Sequence, residues 1–434
     1  MTNSNIHQYI STFIFILILG GYAVMAFNYP AAYIWATYED MYGEWTQTFL
    51  FSIALFFSLL LVFSSHRQRL FFTLLSAALF YVVMEEISWG QRLLGFETPD
   101  FFKRHNLQDE TNIHNLLVGP ISTTTKHVIE YLLAGSLLLY GLAYPLLLKI
   151  NWRWALRIES LGLLAPPLYL WPYFSAGAYL ELGRLNFNEA EIAEVLIAFS
   201  LAAMSAHYWI LHRNPEKASA LKSRTLSLKL GFLMIGIIGV ATASAFITTE
   251  VMLSNPESEA RINGRVLNGY EKFARRYELY HRWQTALTLY LAVHRNEPSR
   301  TSIMRKIANC YKELGNNTLF LQYNQMALDT ALKIYATKPH KVSTNLSLAR
   351  SYRQRGDEAR AQQHLQRALS TAKTRVEEQP ESAHAAYWLA KVYRGMRQYN
   401  LALTEYRRAY ELNPGSAKYL KEYTKMRMRL GVDD

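Results

Sequence analysis

Long apolar runs separated by short polar links fill the first 250 residues, and none of that pattern continues beyond them. A helix needs roughly twenty apolar residues to cross a bilayer core. Seven runs approach that length, at about 9–27, 47–64, 70–88, 128–148, 159–178, 190–211 and 230–248. The fifth contains Pro166, Pro167 and Pro172, each of which removes a backbone donor and kinks or breaks a helix. Such a break survives in a bilayer only where protein or water satisfies the freed carbonyls. The pattern predicts an all-α chain whose residues 1–250 form a polytopic helical membrane domain of about seven spans. No basic segment precedes the first run and no Ala-x-Ala site follows it, so it reads as a retained span.

From residue 267 the runs give way to a recurring Ala-x-x-Tyr: Ala274/Tyr277, Ala308/Tyr311, Ala349/Tyr352 and Ala390/Tyr393. Nine residues after each tyrosine stands Ala286, Phe320, Ala361 or Ala402. Pro298 and Pro414 follow their tyrosines by 21 residues, and Pro339 and Pro380 by 28. Small residues at those sites let two antiparallel helices approach closely, and the proline ends the second helix before the next begins. The pattern, plainest in WLAKVYRGMRQYNLALTEYRRAYELNP, resembles the tetratricopeptide repeat and covers about 267–416 as four repeats. Two repeats depart from that family by a second helix seven residues longer, in ALDTALKIYATKP and RALSTAKTRVEEQP. Phe320 in place of alanine predicts a looser helix contact in the second repeat. Residues 417–434 read as a polar capping helix, which an open-ended solenoid needs. Residues 251–266 link the halves, and Asn255-Pro256-Glu257 is a helix start within that link. The resemblance implies an α-solenoid with a concave surface that binds a peptide or a partner protein.

Charge separates the halves further. Residues 1–250 carry 15 Lys and Arg against 17 Asp and Glu, and residues 251–434 carry 31 against 17. The net charge of +12 therefore arises wholly in the second half. An acidic peptide, an anionic polysaccharide or a lipid head group would be drawn to such a domain. Arg350, Arg353, Arg394, Arg397 and Arg408 are the leading candidates for that contact, with Arg355 and Arg407 beside them. The alternative is that these cations merely solvate exposed helix faces. No nucleic-acid-binding motif, P-loop, G-x-S-x-G elbow or dinucleotide fingerprint is present. The single cysteine, Cys310, excludes an intramolecular disulfide framework and a multi-cysteine metal site.

Cytoplasmic loops are rich in Lys and Arg. The links after the second, fourth and sixth runs, SSHRQR, KINWRWALR and HRNPEKASALKSRTLSLK, are basic. The alternate links, NYPAAYIWATYEDMYGEW and ELGRLNFNEAEIAE, are acidic. The asymmetry predicts a cytoplasmic N-terminus, with the repeats and the stretch after the third run on the extracytoplasmic side.

That stretch reads EEISWGQRLLGFETPDFFKRHNLQDETNIHN, from Glu85 to Asn115. Continued as helix past Met84, it would set Glu85, Ser88, Trp89 and Arg92 on one face and point Glu86 elsewhere. Thr98, Pro99 and Asp100 suit the cap and first positions of a new helix. Phe101 and Phe102 beside Lys103 and Arg104 suit a bilayer interface. A second start at Asp109-Glu110-Thr111 would bring Glu110, His114 and Asn115 back toward the membrane. The whole reads as a re-entrant or interfacial helix-loop-helix gathering Glu85, Glu86, Arg92, Glu97, His105, Glu110 and His114. Glu181, Glu189, Glu191 and Glu194 belong at the same level.

Ionisable groups within a membrane are costly and mark function by default. Three readings compete. In the structural one, Glu85 or Glu86 pairs with Arg92 or Arg184 and pins a tight turn. In the catalytic one, Glu85, Glu86, Arg92, Glu110 and His114 serve as acid, base and charge stabiliser. A divalent metal on His105 and His114 could then activate water, although no H-E-x-x-H spacing is present. In the transport one, the carboxylates line an ion or proton path. The wording EEISWGQR…ETP…ETNIHN resembles a run in uncharacterised multi-pass bacterial membrane proteins, which implies a bacterial inner membrane and no particular reaction. His127 and His207 read as satisfied polar groups near span ends, His281 as a repeat turn and His384 as the start of a repeat helix.

The expected function is a membrane-anchored scaffold that recruits an extracytoplasmic protein or anionic partner, in envelope or polysaccharide assembly. The alternative is a membrane-embedded hydrolase or transferase, with or without a metal cofactor, using the Glu85–Asn115 stretch.

Overall fold

The structure is a computed structural model that describes residues 5–38, 40–64, 68–91, 96–105, 111–113, 124–214 and 224–432. The chain forms two compact units. The first comprises the described parts of residues 1–99, 110–118 and 122–269, and the second those of 100–109, 119–121 and 270–434. Among the described residues every regular element is a helix.

The first unit contains α1 (Ile6–Asn28), α2 (Pro30–Thr37), α3 (Tyr42–Ser64) and α4 (Arg69–Glu86). A six-residue α5 (Asp100–His105) falls to the second unit. Then come α6 (Thr124–Leu138), α7 (Tyr144–Lys149), α8 (Arg153–Ser160), α9 (Trp171–Glu181), α10 (Glu189–Arg213) and α11 (Arg224–Ser254). The helix α3 is the hub, with α4, α10 and α11 packed on it. Small buried residues on α10, Ala193, Ala198, Ala202, Ala203 and Ala206, let helices approach closely where packing drives association. Between α3 and α4 the Ser76 hydroxyl donates to Ser58 Oγ at 2.8 Å, and Ser58 donates to the Phe72 carbonyl at 3.1 Å.

Among the described residues five helical stretches are long and apolar enough to cross a membrane: Ile6–Asn28, Pro30–Ser64, His127–Lys149, Glu189–Arg213 and Arg224–Ser254. The other two expected spans differ. The run at 70–88 is the helix α4, which carries Arg69 at one end and Glu85-Glu86 at the other. The run at 159–178 is broken into α8, a non-helical stretch through Pro166-Pro167, a 3₁₀ turn at Leu168–Leu170, and α9. Pro145 removes another donor, and the turn before it, Leu139–Ala143, widens to a π-helix. Within that turn Gly141 lies against the Phe174 ring, which a Cβ would meet at 2.1 Å.

The helix α12 (Pro256–Leu279) carries the chain from the first unit into the second. There follow α13 (Trp283–Asn296), α14 (Thr301–Glu313), α15 (Asn317–Thr337), α16 (Val342–Gln354), α17 (Glu358–Glu378), α18 (Ala383–Gly395), α19 (Tyr399–Leu412) and α20 (Ala417–Leu430). In the second, third and fourth repeats the first helix packs on the second: α14 on α15, α16 on α17, α18 on α19. The repeated alanines are the reason. Ala274, Ala308 and Ala390 are wholly buried and Ala349 nearly so, as are Ala286, Ala361 and Ala402 on the second helices. Phe320, at the corresponding site of α15, is only half-buried. The second helices α15 and α17 have 21 residues, while α13 and α19 have 14. Asn316, Asp357 and Ser382 cap their helices by accepting a backbone N–H. The last helix, α20, covers the end of the array with Tyr419 and Met426, which join Tyr387, Tyr406 and Ala409 in one apolar cluster.

Four turns between first and second helices share one conformation. The residue four beyond each repeat tyrosine has a positive φ: His281 at 56°, Gly315 at 79°, Gly356 at 83° and Arg397 at 64°. Glycine adopts that geometry freely, whereas a side chain makes it strained.

Candidate functional site

The helix α4 ends at Glu86, and Ser88 and Trp89 have φ of 48° and 53°, so the expected continuation to Arg92 as one helical face does not form. A 3₁₀ turn at Ser88–Gly90 replaces it. Glu85 is buried and accepts from Trp89 Nε1 at 2.6 Å and from the Ile113 backbone at 3.3 Å. Gln91 donates to Thr98 Oγ1 at 2.8 Å and accepts from the Thr111 backbone at 2.7 Å. These bonds tie residues 85–91 to 98 and 111–113. Glu86 faces a different neighbour, as expected: Gln47 Nε2 donates to Glu86 Oε2 at 3.1 Å and to Glu194 Oε2 at 2.6 Å.

Gln47 is almost wholly buried on α3 and was not among the expected site residues. Its signal was the polar set Glu44, Gln47 and Thr48 at helical spacing inside an apolar run. Glu189 is a turn-closing carboxylate, accepting backbone N–H groups from Leu185, Asn186 (2.9 Å) and Phe187 (2.6 Å). Arg184 meets Tyr131 through a hydrogen bond and by lying 5.7 Å from its ring centre. Arg92, Glu110 and His114 lie outside the described residues, as does the side chain of His105. Glu97 is exposed. Among the described residues no three His, Cys, Asp or Glu side chains come together as metal ligands. What is described of the stretch is a set of hydrogen bonds that hold a turn. The expected pairing of Glu85 or Glu86 with Arg92 falls outside the described residues, Arg184 meets Tyr131 instead, and the described partners of Glu85 include Trp89 and Ile113.

The histidines outside this stretch are engaged locally. His127 pairs with Glu130 at 3.0 Å, and Tyr169 OH lies 3.1 Å from His207 Nδ1. Trp388 Nε1 donates to His384 at 2.9 Å.

In the second unit, first helices of neighbouring repeats pack on one another, α14 on α16 and α16 on α18. In arrays of the kind that the sequence resembles, such a shared face is the concave inner wall. Arg305, Arg350 and Lys391 stand along it on α14, α16 and α18. Burial in this wall, and then the neighbouring Arg350, lower the Arg305 guanidinium to about 10. Arg350 is exposed to water but flanked by protein; desolvation, then Arg394, lower it as well. Lys391 falls to about 8 through burial, then Arg350 and Arg394. Its ammonium lies 4.6 Å from the Trp388 ring centre. Like charges are thus held together in a row at a free-energy cost, which an anion would relieve.

At one edge of the wall, between the third and fourth repeats, a pocket of about 270 Å³ is lined by Arg350, Arg353, Arg394, Arg397 and Arg429, with Leu346, Ala349, Leu365, Gly395 and Tyr399. Four of the five arginines singled out from the sequence converge here. Arg408 stands apart, donating to the Pro380 carbonyl at 2.7 Å. Arg355 meets Gln325, and Arg407 meets Tyr423 OH at 3.2 Å. Arg429 had no sequence signal, because it reaches the pocket only through the packing of the last helix.

Residues 383–416, which hold α18 and α19, match the tetratricopeptide-repeat family. Among solved structures the chain is similar to a thermophilic TPR protein of Thermus thermophilus, at 16% identity, covering 45% of this chain and 95% of that one with a TM-score of 0.23. It is also similar to MamA from Desulfovibrio magneticus, at 18% identity, covering 38% of this chain and 86% of that one with a TM-score of 0.18. No curated protein matches. The matched residues form one tetratricopeptide-like repeat, and the buried alanines and paired helices of the neighbouring segments continue its pattern through the second unit.

Proposed function

We propose that the protein is a membrane-anchored scaffold whose repeats recruit a protein partner through an acidic segment. The observation that carries this reading is the row of Arg305, Arg350 and Lys391 along the inner wall, like charges crowded where a partner would lie. Anchoring is supported by the five long apolar helices and by the side chains they turn outward, such as Phe13, Leu17, Phe232 and Ile247. In water those faces would be an association hazard; in lipid they are solvated. The basic and acidic links support a cytoplasmic N-terminus and extracytoplasmic repeats in a bacterial inner membrane. Counts of five and seven spans have the same parity, so both leave the chain ends on opposite sides. A role in envelope or polysaccharide assembly belongs with this placement.

The test is site-specific photocrosslinking in cells with the full chain. A crosslinker replacing Arg350, on the inner wall, should capture a discrete protein partner, and one replacing Thr374, exposed on α17, should not. The adduct should fade when Arg305→Ala and Lys391→Ala are added. Equal labelling from both positions, or none from position 350, would remove the recruitment reading.

A further inference from the structure

We propose that the arginine pocket between the third and fourth repeats is a binding site for a phosphate monoester group. The inference goes beyond partner recruitment and does not rest on it. Three of the five lining guanidiniums have structural partners. Arg353 bonds Glu358 at 3.1 Å and the Gly395 carbonyl at 3.1 Å. Arg394 bonds Glu422 at 2.5 Å, and Arg429 donates to Tyr399 OH at 2.9 Å while covering its ring. The guanidiniums of Arg350 and Arg397 make no hydrogen bond and no close ion pair with any described residue, although Arg397 acts on Glu358 through space, and no carboxylate lines the pocket among the described residues.

Charge then selects the ligand. Five lining cations against the two carboxylates that engage them, Glu358 and Glu422, leave an excess of three positive charges (5 − 2). A single carboxylate would neutralise one. A phosphate monoester carries about −1.5 to −2 near neutral pH and offers three acceptor oxygens. The charged lining residues are all arginine, whose planar fork of donors meets phosphate oxygens in pairs, where lysine offers a point charge. Leu346, Ala349 and Leu365 form the apolar part of the lining.

The backbone singles out Arg397. It occupies the left-handed turn position that is glycine in the second and third repeats, with φ of 64°. His281 shows that a side chain is tolerated there in the first repeat, but only Arg397 directs a guanidinium into a pocket. Local strain kept beside a pocket is a mark of use.

The experiment is calorimetric titration of the full chain in uncharged detergent near neutral pH and at constant ionic strength. The probes are inorganic phosphate, glycerol 3-phosphate, acetate and a short-chain phosphatidic acid. Phosphate and glycerol 3-phosphate should bind and compete, and acetate should not. Arg350→Ala and Arg397→Gly should each weaken phosphate by about tenfold or more, with Arg408→Ala unchanged. Arg397→Gly relieves the strained turn, so its unfolding midpoint should not fall, which separates lost binding from lost fold. If Arg350→Ala does not fold, Arg350→Lys keeps the charge but not the fork and should still weaken phosphate. Binding of the phosphatidic acid that inorganic phosphate displaces assigns the group to a lipid; binding of glycerol 3-phosphate alone assigns it to a soluble ligand; both sustain the site. Acetate binding as tightly as phosphate, Arg350→Ala binding as the native chain does, or no heat with any phosphate overturns it.

Discussion

Single side chains in the first unit act mainly by closing local hydrogen bonds. Glu189 accepts three backbone N–H groups that have turned away from regular helix. Glu189→Ala should therefore destabilise the unit by about 1–3 kcal/mol, because three backbone donors lose a charged acceptor. Thermal unfolding in micelles measures it, and a loss below a few tenths would show that water replaces the carboxylate. In the second unit Lys391 sets a pH dependence. Its folded value is about 8, below that of a free lysine, so its charge is present near neutral pH and lost as pH rises through that value. Affinity for an acidic peptide should fall over the same window. A bound anion raises the lysine again, so the drop occurs above the value of the empty wall. Lys391→Arg, always charged, should flatten the profile; an unchanged slope would assign it elsewhere. The sign for stability is opposite: between about 8 and the ordinary lysine range the unfolded chain holds the extra proton, so folding is favoured as pH rises.

Helices show where spacing speaks and where it stops. The Ala-x-x-Tyr period specified the repeat pairs, because close helix contact needs a small residue at a fixed register. Ala361 has no exposed surface, so Ala361→Phe should overpack α16 against α17 and cost about 1–3 kcal/mol. Phe320→Ala, at the matching but half-buried site, should cost less. Chemical denaturation of the two variants tests the contrast, and equal losses would mean that the two sites are packed alike. Gly141→Ala probes α7 and its π-turn: the new Cβ meets the buried Phe174 ring, so stability should fall by a similar amount of about 1–3 kcal/mol. The end of α4 was less legible. Apolar periodicity favours helix through Trp89, but the chain turns after Glu86, and Glu85 meets Ile113 from a segment far along the chain.

Across the whole molecule, the cap α20 and the apolar helices carry the predictions. Removing residues 417–434 uncovers Tyr387 and Tyr406, which are buried against Tyr419 and Met426. Because a repeat array is held by nearest-neighbour interfaces, the fourth repeat should fray first, seen as faster amide exchange in α18 and α19. Unchanged exchange would mean that α20 is dispensable. Membrane anchoring predicts that the full chain stays in the pellet after alkaline carbonate extraction, and release into the supernatant would refute it.

Periodicity and charge by themselves determined the all-α class, the repeat register and the division between an apolar half and a basic half. Each depends on the spacing of side chains along one helix, which is local. Most of the arginines of the pocket were also visible, because the repeat places Arg353 and Arg394 at one register after the recurring Ala and Tyr. Tertiary structure decided what needs distant segments together. It brought Gln47 between Glu86 and Glu194, turned the chain after Glu86, and delivered Arg429 from the last helix to a wall built by α16 and α18. It also showed that the guanidiniums of Arg350 and Arg397 make no hydrogen bond among the described residues while those of Arg353 and Arg394 are engaged. A sequence shows which charges exist; only packing shows which of them remain to be met.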